Sequence, residues 1–285
     1  MRNMESNTAE IARGERFEFG KNWSQFLPTI DAERIQRAEM SLKEMLEVDN
    51  LSSKTFLDIG SGSGLFSLAA RRLGARVHSV DFDPKSVFCT NELKRNYFRE
   101  DGEWSIAEGS VLDSEYMKSL GQFDVVYSWG VLHHTGDLWT ALENAQRCVR
   151  PGGRFFIALY NDTGSQSARW HWIKKTYCSL PALLKTPFAF LVTVPGELKL
   201  ILKSLLLLKP GSYIDTWTSY RRNRGMTKWR DIVDWVGGYP YEVSTPDTVF
   251  DFCRARGFTL TKLKSGYVGL GCNEFVFLKS GQQNS

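Results

Sequence analysis

Short apolar runs alternate with amphipathic helical patterns over one continuous part of the chain, residues 54–160. Such alternation predicts strand–helix–strand units, in which successive strands pair in parallel and helices cover the sheet. The sequence therefore predicts an α/β fold with a mostly parallel sheet. The predicted strands are Thr55–Ile59, Arg76–Val80, Trp104–Ala107, Phe123–Ser128 and Arg154–Leu159, and the predicted helices are Leu65–Leu73, Pro84–Phe98 and Leu138–Cys148.

Segments on either side of this region complete the predicted architecture. Asp31 can cap a helix that runs to about Glu47, which predicts an N-terminal helical cap. Residues 161–244 break the alternation and predict a mainly helical insertion after the fifth strand. We therefore predict a cap at 1–50, a core at 51–160 and 245–280, and an insertion or substrate lid at 161–244.

The alternation resumes at Thr245-Pro246, where proline at the first helical position starts a helix through Arg256. Two further strands, Phe258–Lys264 and Asn273–Leu278, are joined by a glycine-rich link and predict a closing antiparallel hairpin, for seven strands in all. Earlier in the chain, Pro151-Gly152-Gly153 predicts a tight turn before the fifth strand.

A glycine-rich turn follows the first predicted strand, with glycines at Gly60, Gly62 and Gly64. A dinucleotide site has the spacing Gly-x-Gly-x-x-Gly, so this Gly-x-Gly-x-Gly spacing argues against a nicotinamide-dependent oxidoreductase. Asp58, two residues before the turn, would repel a pyrophosphate but suits a cofactor that carries a cationic amino group. The turn therefore predicts S-adenosylmethionine as the ligand.

A second acidic residue, Asp81, directly follows the second predicted strand and lies 23 positions beyond Asp58. An acidic side chain at about this distance can bind the two hydroxyl groups of a ribose. Phe82, beside it, is placed to cover an adenine ring.

The order of these motifs resembles that of class I S-adenosylmethionine-dependent methyltransferases, and in particular the branch with ubiquinone- and menaquinone-biosynthesis methyltransferases. The resemblance covers residues 54–160 and implies a Rossmann-like fold. The motifs that carry it are Asp58-x-Gly60-x-Gly62-x-Gly64, Val80-Asp81, Phe123–Ser128, Val131-Leu132-His133-His134 and Arg150-Pro151-Gly152-Gly153.

The resemblance also implies roles for individual residues. Asp58 and the glycine turn would hold the methionine part of the cofactor, and Asp81 the ribose. An acidic residue often stands where this chain has Ser110, so the adenine contact there is the least secure. The predicted cofactor-binding residues are Asp58, Gly60, Ser61, Gly62, Gly64, Asp81, Phe82, Ser110, Val111, Ser128, Trp129 and Gly130, the last three beside the sulfonium.

Methyl transfer is an in-line displacement, so the enzyme mainly aligns the two reactants and removes a proton where the nucleophile needs it. His133 and His134 follow the fourth strand, where the methyl group would point, and an imidazole can act as that base. The alternative is that the two histidines only shape the loop. We predict no metal site.

Residues outside the core are expected to recognise the acceptor. Trp23 is a candidate for closing the pocket, although it could instead dock the cap helix. Arg221 and Arg224 can recognise a carboxylate or phosphate, or belong to a solvated basic face. Tyr239, Asn273 and Glu274 occur in glycine-containing segments that suit either an active site or ordinary turns.

The most apolar segment, residues 180–208, is interrupted by Lys185, Glu197, Lys199 and Lys203 and by Pro187 and Pro195, which argues against a transmembrane helix. It could pack the lid onto the core, form a hydrophobic tunnel, or lie on a membrane surface for a lipid-like acceptor. The net charge of +4 is too weak to favour nucleic acid, although a tRNA-directed methyltransferase is an alternative. Five scattered cysteines and a polar N-terminus favour the cytoplasm.

We therefore predict methyl transfer to a small-molecule acceptor, with a hydroxyl or carboxylate oxygen as the leading nucleophile. Nitrogen and carbon remain alternatives as the methylated atom. A non-catalytic S-adenosylmethionine-binding protein is the alternative of another class. The sequence leaves the acceptor, the pathway and the oligomeric state open.

Overall fold

The computed structural model describes residues 7–209, 211–218, 228–266 and 270–281. Seven strands of this part form one sheet in the order β3-β2-β1-β4-β5-β7-β6. The first five strands pair in parallel, and β7 runs antiparallel to both β5 and β6. The predicted fold class and the closing hairpin are therefore confirmed. The strands are β1 Thr55–Ile59, β2 Arg76–Asp81, β3 Trp104–Glu108, β4 Phe123–Trp129, β5 Val149–Tyr160, β6 Phe258–Lys264 and β7 Cys272–Lys279.

Helices precede the sheet, connect its strands, and form the segment between β5 and β6. Their predicted positions in the core agree with the observed ones to within a few residues. The described helices are α1 Asn7–Ala12, α2 Phe19–Phe26, α3 Ala32–Leu46, α4 Leu65–Arg72, α5 Pro84–Tyr97, α6 Ser114–Ser119, α7 Leu138–Arg147, α8 Ser165–Ser179, α9 Ala182–Leu206, α10 Gly211–Thr218, α11 Lys228–Gly237 and α12 Pro246–Arg254, with short 3₁₀ turns at Leu27–Thr29 and Leu132–His134.

The prediction of a tight turn at residues 151–153 is wrong, because these residues lie within β5. The pairing of β5 with β4 shifts register there, between Phe123 and Val125. A Cβ atom on Gly153 would lie 3.0 Å from the carbonyl oxygens of Phe123 and Asp124. The glycine therefore allows the two strand backbones to approach closely. The Pro-Gly-Gly sequence is typical of a turn, but here the strand continues through it.

Apolar side chains fill both sides of the sheet and hold the helices on it. One cluster packs α7 and α12 against one face, and a second packs α3 and α4 against the other. The cap helix α3 begins as predicted, because the Asp31 carboxylate accepts a hydrogen bond from the Arg34 backbone N–H at 2.9 Å. Its buried residues are Ile35, Ala38, Leu42, Met45 and Leu46.

The described residues between β5 and α12 are mainly helical and have their own small core. An isolated bridge between Asn161 and Ser244 brings its two ends together. Ile173, Ala189 and Val236 belong to a third apolar cluster, which joins α8, α9 and α11 and includes Phe17 from the N-terminal segment. The helical insertion is therefore confirmed. Among the described residues, no helix is long and apolar enough to cross a membrane.

Candidate active site

A cavity of about 320 Å³ lies at the carboxyl ends of β1, β2 and β4. This edge is where open α/β sheets bind their ligands. The turn after β1 forms its floor, and the N-terminal residues Arg16, Phe19, Trp23 and Phe26 line its other side. The cavity therefore lies between the sheet and the segment that precedes it in sequence.

The glycine turn has a backbone that only glycine adopts readily, with φ of +79° at Gly60 and +56° at Gly62. A Cβ atom on Gly62 would lie 2.9 Å from the Trp23 indole, and one on Gly60 would overlap the Val131 side chain. Gly60 and Gly62 both line the cavity. Gly64 does not: it precedes α4 with φ of +81°, and its Cα faces Thr90. Its role is therefore to pack α4 against α5.

Asp58 lies beneath this turn and is almost fully buried. The Ser67 hydroxyl donates to its carboxylate at 2.5 Å, and no salt bridge to Asp58 occurs among the residues that the structure describes. Burial raises the pKa of Asp58 to about 7, against the lowering effect of the Ser67 hydrogen bond. A carboxylate in this position would be stabilised by a cationic ligand group, such as the amino group of a methionine moiety.

Asp81, at the end of β2, has both carboxylate oxygens directed to backbone donors. The Gly62 N–H donates to Oδ2 and the Asp83 N–H donates to Oδ1, each at 2.9 Å. Burial raises the pKa of Asp81 to about 6. Each oxygen keeps one lone pair, so the oriented carboxylate can still accept hydrogen bonds from two ribose hydroxyl groups.

The predicted adenine and sulfonium contacts are mostly brought to the cavity. Phe82, Ser110 and Val111 line one end, and Trp129 and Gly130 line the other. Ser128 is not among the lining residues. Its hydroxyl donates to the Ile59 carbonyl at 2.9 Å, so the side chain joins β4 to β1 inside the sheet.

The N-terminal segment supplies site residues that the motif analysis missed. Arg16 donates through Nη1 to the His134 carbonyl at 2.8 Å, and its guanidinium lies 5.3 Å from the centre of the Phe82 ring. The Phe19 ring lies 4.7 Å from the His134 ring. In the sequence, Phe19 and Trp23 belong to the aromatic and polar segment Phe19-Gly20-Lys21-Asn22-Trp23, and only Trp23 is predicted to contribute. Further lining residues that the sequence does not predict include Asn7, Phe26, Asp83, Ser86, Tyr127 and Thr135.

The two predicted catalytic histidines differ in environment. His133 is fully buried, its Nδ1 accepts from the Tyr160 N–H at 3.3 Å, and its Nε2 has no partner among the described residues. His134 lines the cavity, and its Nδ1 lies 2.5 Å from the Pro240 carbonyl oxygen. Because a carbonyl can only accept, His134 Nδ1 carries the proton and Nε2 keeps a lone pair.

Burial also sets the charge of these histidines. It lowers the pKa of His134 to about 3, with contributions from the positive charges of Lys174 and Arg16. It lowers the pKa of His133 well below the ordinary value. Both rings are therefore neutral at physiological pH, and only His134 lines the cavity.

Of the residues predicted to bind the acceptor, only some lie at the cavity. Trp23 lines the cavity, whereas Tyr239, Asn273 and Glu274 do not appear among its lining residues. The buried Asn273 amide donates to the Asn161 side chain at 3.0 Å and its oxygen accepts from the Gly266 N–H at 3.1 Å, so this residue ties β7 to neighbouring loops. Arg221 and Arg224 lie outside the described residues.

Part of the chain is similar in sequence to known methyltransferases. Residues 57–157 match the family model described as a methyltransferase domain. The ubiquinone biosynthesis O-methyltransferase of Methylobacterium sp. (strain 4-46) is 31% identical over 121 residues, which cover 42% of this chain and 47% of that protein. The ubiquinone biosynthesis O-methyltransferase of Caulobacter vibrioides is 32% identical over 115 residues, which cover 38% of this chain and 42% of that protein. The matches thus span less than half of these relatives.

A solved structure shares the fold over nearly the whole chain. Magnesium protoporphyrin IX methyltransferase from Synechocystis PCC 6803, solved with bound SAH, is 12% identical and has a TM-score of 0.55. The likeness covers 95% of this chain and all of that one. An O-methyltransferase family protein from Burkholderia thailandensis, 13% identical with a TM-score of 0.53, covers 87% of this chain and 58% of that one.

Residues 57–157, which include the glycine turn and both buried carboxyls, match a methyltransferase domain. For this part of the chain the match agrees with the predicted class I, whose cofactor is S-adenosylmethionine.

Proposed function

We propose that this protein transfers a methyl group from S-adenosylmethionine to a small-molecule acceptor, with an oxygen atom as the nucleophile. The observation that carries the proposal is the pairing of Asp58 and Asp81 with the glycine turn in one cavity. Asp58 would neutralise the cofactor's amino group, and Asp81 would hold its ribose. Trp129 and Gly130 would then lie beside the sulfonium.

The bound cofactor supplies an already activated methyl carbon, so the chain's own residues position the acceptor and manage its proton. We assign His134 as the base for a hydroxyl nucleophile. Its Nδ1–H is fixed by the Pro240 carbonyl, which leaves the Nε2 lone pair to accept a proton. Its low pKa keeps the ring neutral, so that the Nε2 lone pair is available, although a ring with a pKa of about 3 is a weak base.

The acceptor side of the cavity is formed by the N-terminal segment. Phe19, Trp23 and Phe26 provide apolar and aromatic surface, and the guanidinium of Arg16 beside them is paired with the Glu10 carboxylate. This composition suits an acceptor with a planar or apolar body. The insertion, residues 161–244, would add specificity by packing on this segment: the Asn22 side-chain amide donates to Asp234 of α11 at 2.7 Å.

The relatives support oxygen as the methylated atom, since both are described as O-methyltransferases. The test is transfer of a tritiated methyl group from labelled S-adenosylmethionine into small molecules of a cell extract, followed by mass identification of the product. A labelled small molecule that carries an O-methyl group supports the proposal. Labelled tRNA, an N- or C-methyl product, or cofactor binding without transfer to any acceptor would overturn it. Asp81→Asn serves as the control, because the label must depend on the intact cofactor site.

A further inference from the structure

The outer side of α9 presents an unusual apolar surface. Six leucines lie on this side, and each is between 54% and 90% exposed. Their spacing along the helix, mostly in steps of three, four and seven residues, places them on one side. We call this surface the apolar face of α9; its residues are Leu183, Leu191, Leu198, Leu202, Leu205 and Leu206.

The helix does not need this face in order to fold against the protein. Its opposite side, with Phe188, Ala189 and Val192, packs into the apolar cluster shared with α8 and α11. The apolar face therefore remains exposed after α9 has been anchored. Contiguous apolar surface on this scale is a mark of an interaction site, whereas leucines scattered singly are ordinary.

The charges around the face have a single sign. Lys199, Lys203 and Lys209 are exposed, and none of them forms a salt bridge within the described part of the chain. The only acidic residue of α9, Glu197, faces inward, where its carboxylate accepts from the Tyr213 hydroxyl at 3.0 Å and from Lys228 Nζ at 2.9 Å. The outer surface of the helix thus combines leucines with unpaired ammonium groups.

We propose that the apolar face of α9 docks on the surface of an anionic lipid bilayer. Leucine side chains enter the boundary between headgroups and acyl chains, while long lysine side chains reach the phosphate groups. Each lysine near such a surface contributes through attraction to anionic headgroups. A bilayer accounts for both features at once. A second copy of this chain would bring the same lysines together, which is unfavourable for a symmetric contact.

The helix lies on the surface and does not span the bilayer. Two prolines occur within it, at Pro187 and Pro195, and its inner side is buried against protein. The expected binding is therefore peripheral and reversible, and it depends on salt because the ammonium–phosphate attraction is screened.

The test is co-sedimentation of the full chain, without cofactor, with vesicles of phosphatidylcholine alone or with added phosphatidylglycerol. We expect binding to the anionic vesicles only, and a loss of affinity of about tenfold or more when NaCl is raised from about 0.1 M to about 1 M. Leu198→Ser with Leu202→Ser should weaken binding on the order of tenfold, and so should Lys199→Gln with Lys203→Gln.

Met40→Ser with Leu263→Ser is the matched control, because both residues are exposed and apolar but lie outside α9. This pair should bind like the unchanged protein. Absence of binding to anionic vesicles, or equal binding by the Leu198/Leu202 pair, would overturn the proposal. A dimer in analytical ultracentrifugation that the same leucine pair converts to a monomer would also overturn it, because the face would then be covered by a second copy. The lysine pair keeps the test valid if the leucine pair fails to fold.

Discussion

The indole of Trp23 lies against Gly62, so that a Cβ atom on the glycine would come within 2.9 Å of the ring. This contact joins α2, which precedes the sheet by almost 30 residues, to the turn that forms the floor of the cavity. The N-terminal segment therefore closes the cavity by direct packing on the glycine backbone.

Replacing Gly62 by alanine should weaken the affinity for S-adenosylmethionine by about tenfold or more, because a Cβ atom would strain the backbone and displace Trp23. Isothermal titration calorimetry measures this change. Gly121→Ala is the control: Gly121 also has a positive φ, of +78°, but a Cβ atom there has no neighbour within 4 Å. Equal affinities in the two variants would contradict the role of the Trp23 contact.

Replacing Asp81 by asparagine should reduce cofactor affinity by about 10- to 100-fold, because charge-assisted hydrogen bonds to the ribose are lost. The control is Asp113→Asn. Asp113 also accepts backbone hydrogen bonds, from Glu115 and Tyr116 at the start of α6, but it does not line the cavity. The Asp113→Asn variant should have a lower melting temperature but an unchanged affinity for the cofactor. A wild-type affinity in the Asp81 variant would exclude the ribose contact.

Cofactor affinity should rise with pH. Burial raises the pKa of Asp58 to about 7 and that of Asp81 to about 6, so both carboxyls are mostly protonated near pH 5. The cationic amino group of the cofactor favours ionised Asp58, so affinity should increase by about one to two orders of magnitude from pH 5 to pH 7. Calorimetric titration with S-adenosylmethionine at each pH measures this change in affinity. An affinity that is constant over this range would show that the ligand does not interact with these carboxylates.

The same pKa shifts have the opposite effect on the stability of the free protein, which they lower as the pH rises. Both carboxyls bind a proton more tightly in the folded than in the unfolded chain, whose aspartate pKa is 3.8. Their contribution to the free energy of unfolding is therefore fully present below the unfolded pKa of 3.8, and it is lost as the pH rises from there to the folded pKa values of about 6 and about 7. Urea unfolding of Asp58→Asn against the unchanged protein checks this, because the difference in stability between them should grow with pH. A difference independent of pH would argue against a buried, strained carboxylate.

His134→Asn should lower kcat by about 100-fold while cofactor affinity changes less than about threefold. Asparagine can still donate to the Pro240 carbonyl, but it lacks the Nε2 lone pair. The variant thus separates proton transfer from positioning. Full turnover in His134→Asn, together with loss of turnover in His134→Ala, would assign the residue to positioning the loop instead.

The core could be predicted from sequence because each of its strands and motifs is specified by neighbouring residues in the chain. Each strand is a short apolar run, and the cofactor residues follow strands in chain order, so Asp58, Gly62 and Asp81 could be assigned from motif spacing alone. Pro151, Gly152 and Gly153 are predicted to form a turn but lie within β5, because local composition does not show that two strand backbones approach there.

The acceptor side of the cavity could be predicted less completely from the sequence, because it depends on contacts between distant parts of the chain. Helices α1 and α2 are only six and eight residues long, and α2 is held by the Gly20 N–H donating to the Asp83 carboxylate, 63 positions away. Neither short helix could be recognised from periodicity. Asn273 showed the converse error, since a buried amide that ties loops together resembles a polar site residue in sequence.

The most direct test of the central claim is calorimetric titration of the unchanged protein with S-adenosylmethionine and, separately, with a nicotinamide dinucleotide. We expect one saturable site for S-adenosylmethionine, weakened by Asp81→Asn, and no binding of the dinucleotide. Binding of the dinucleotide in place of S-adenosylmethionine, or saturable S-adenosylmethionine binding unaffected by Asp81→Asn, would contradict it.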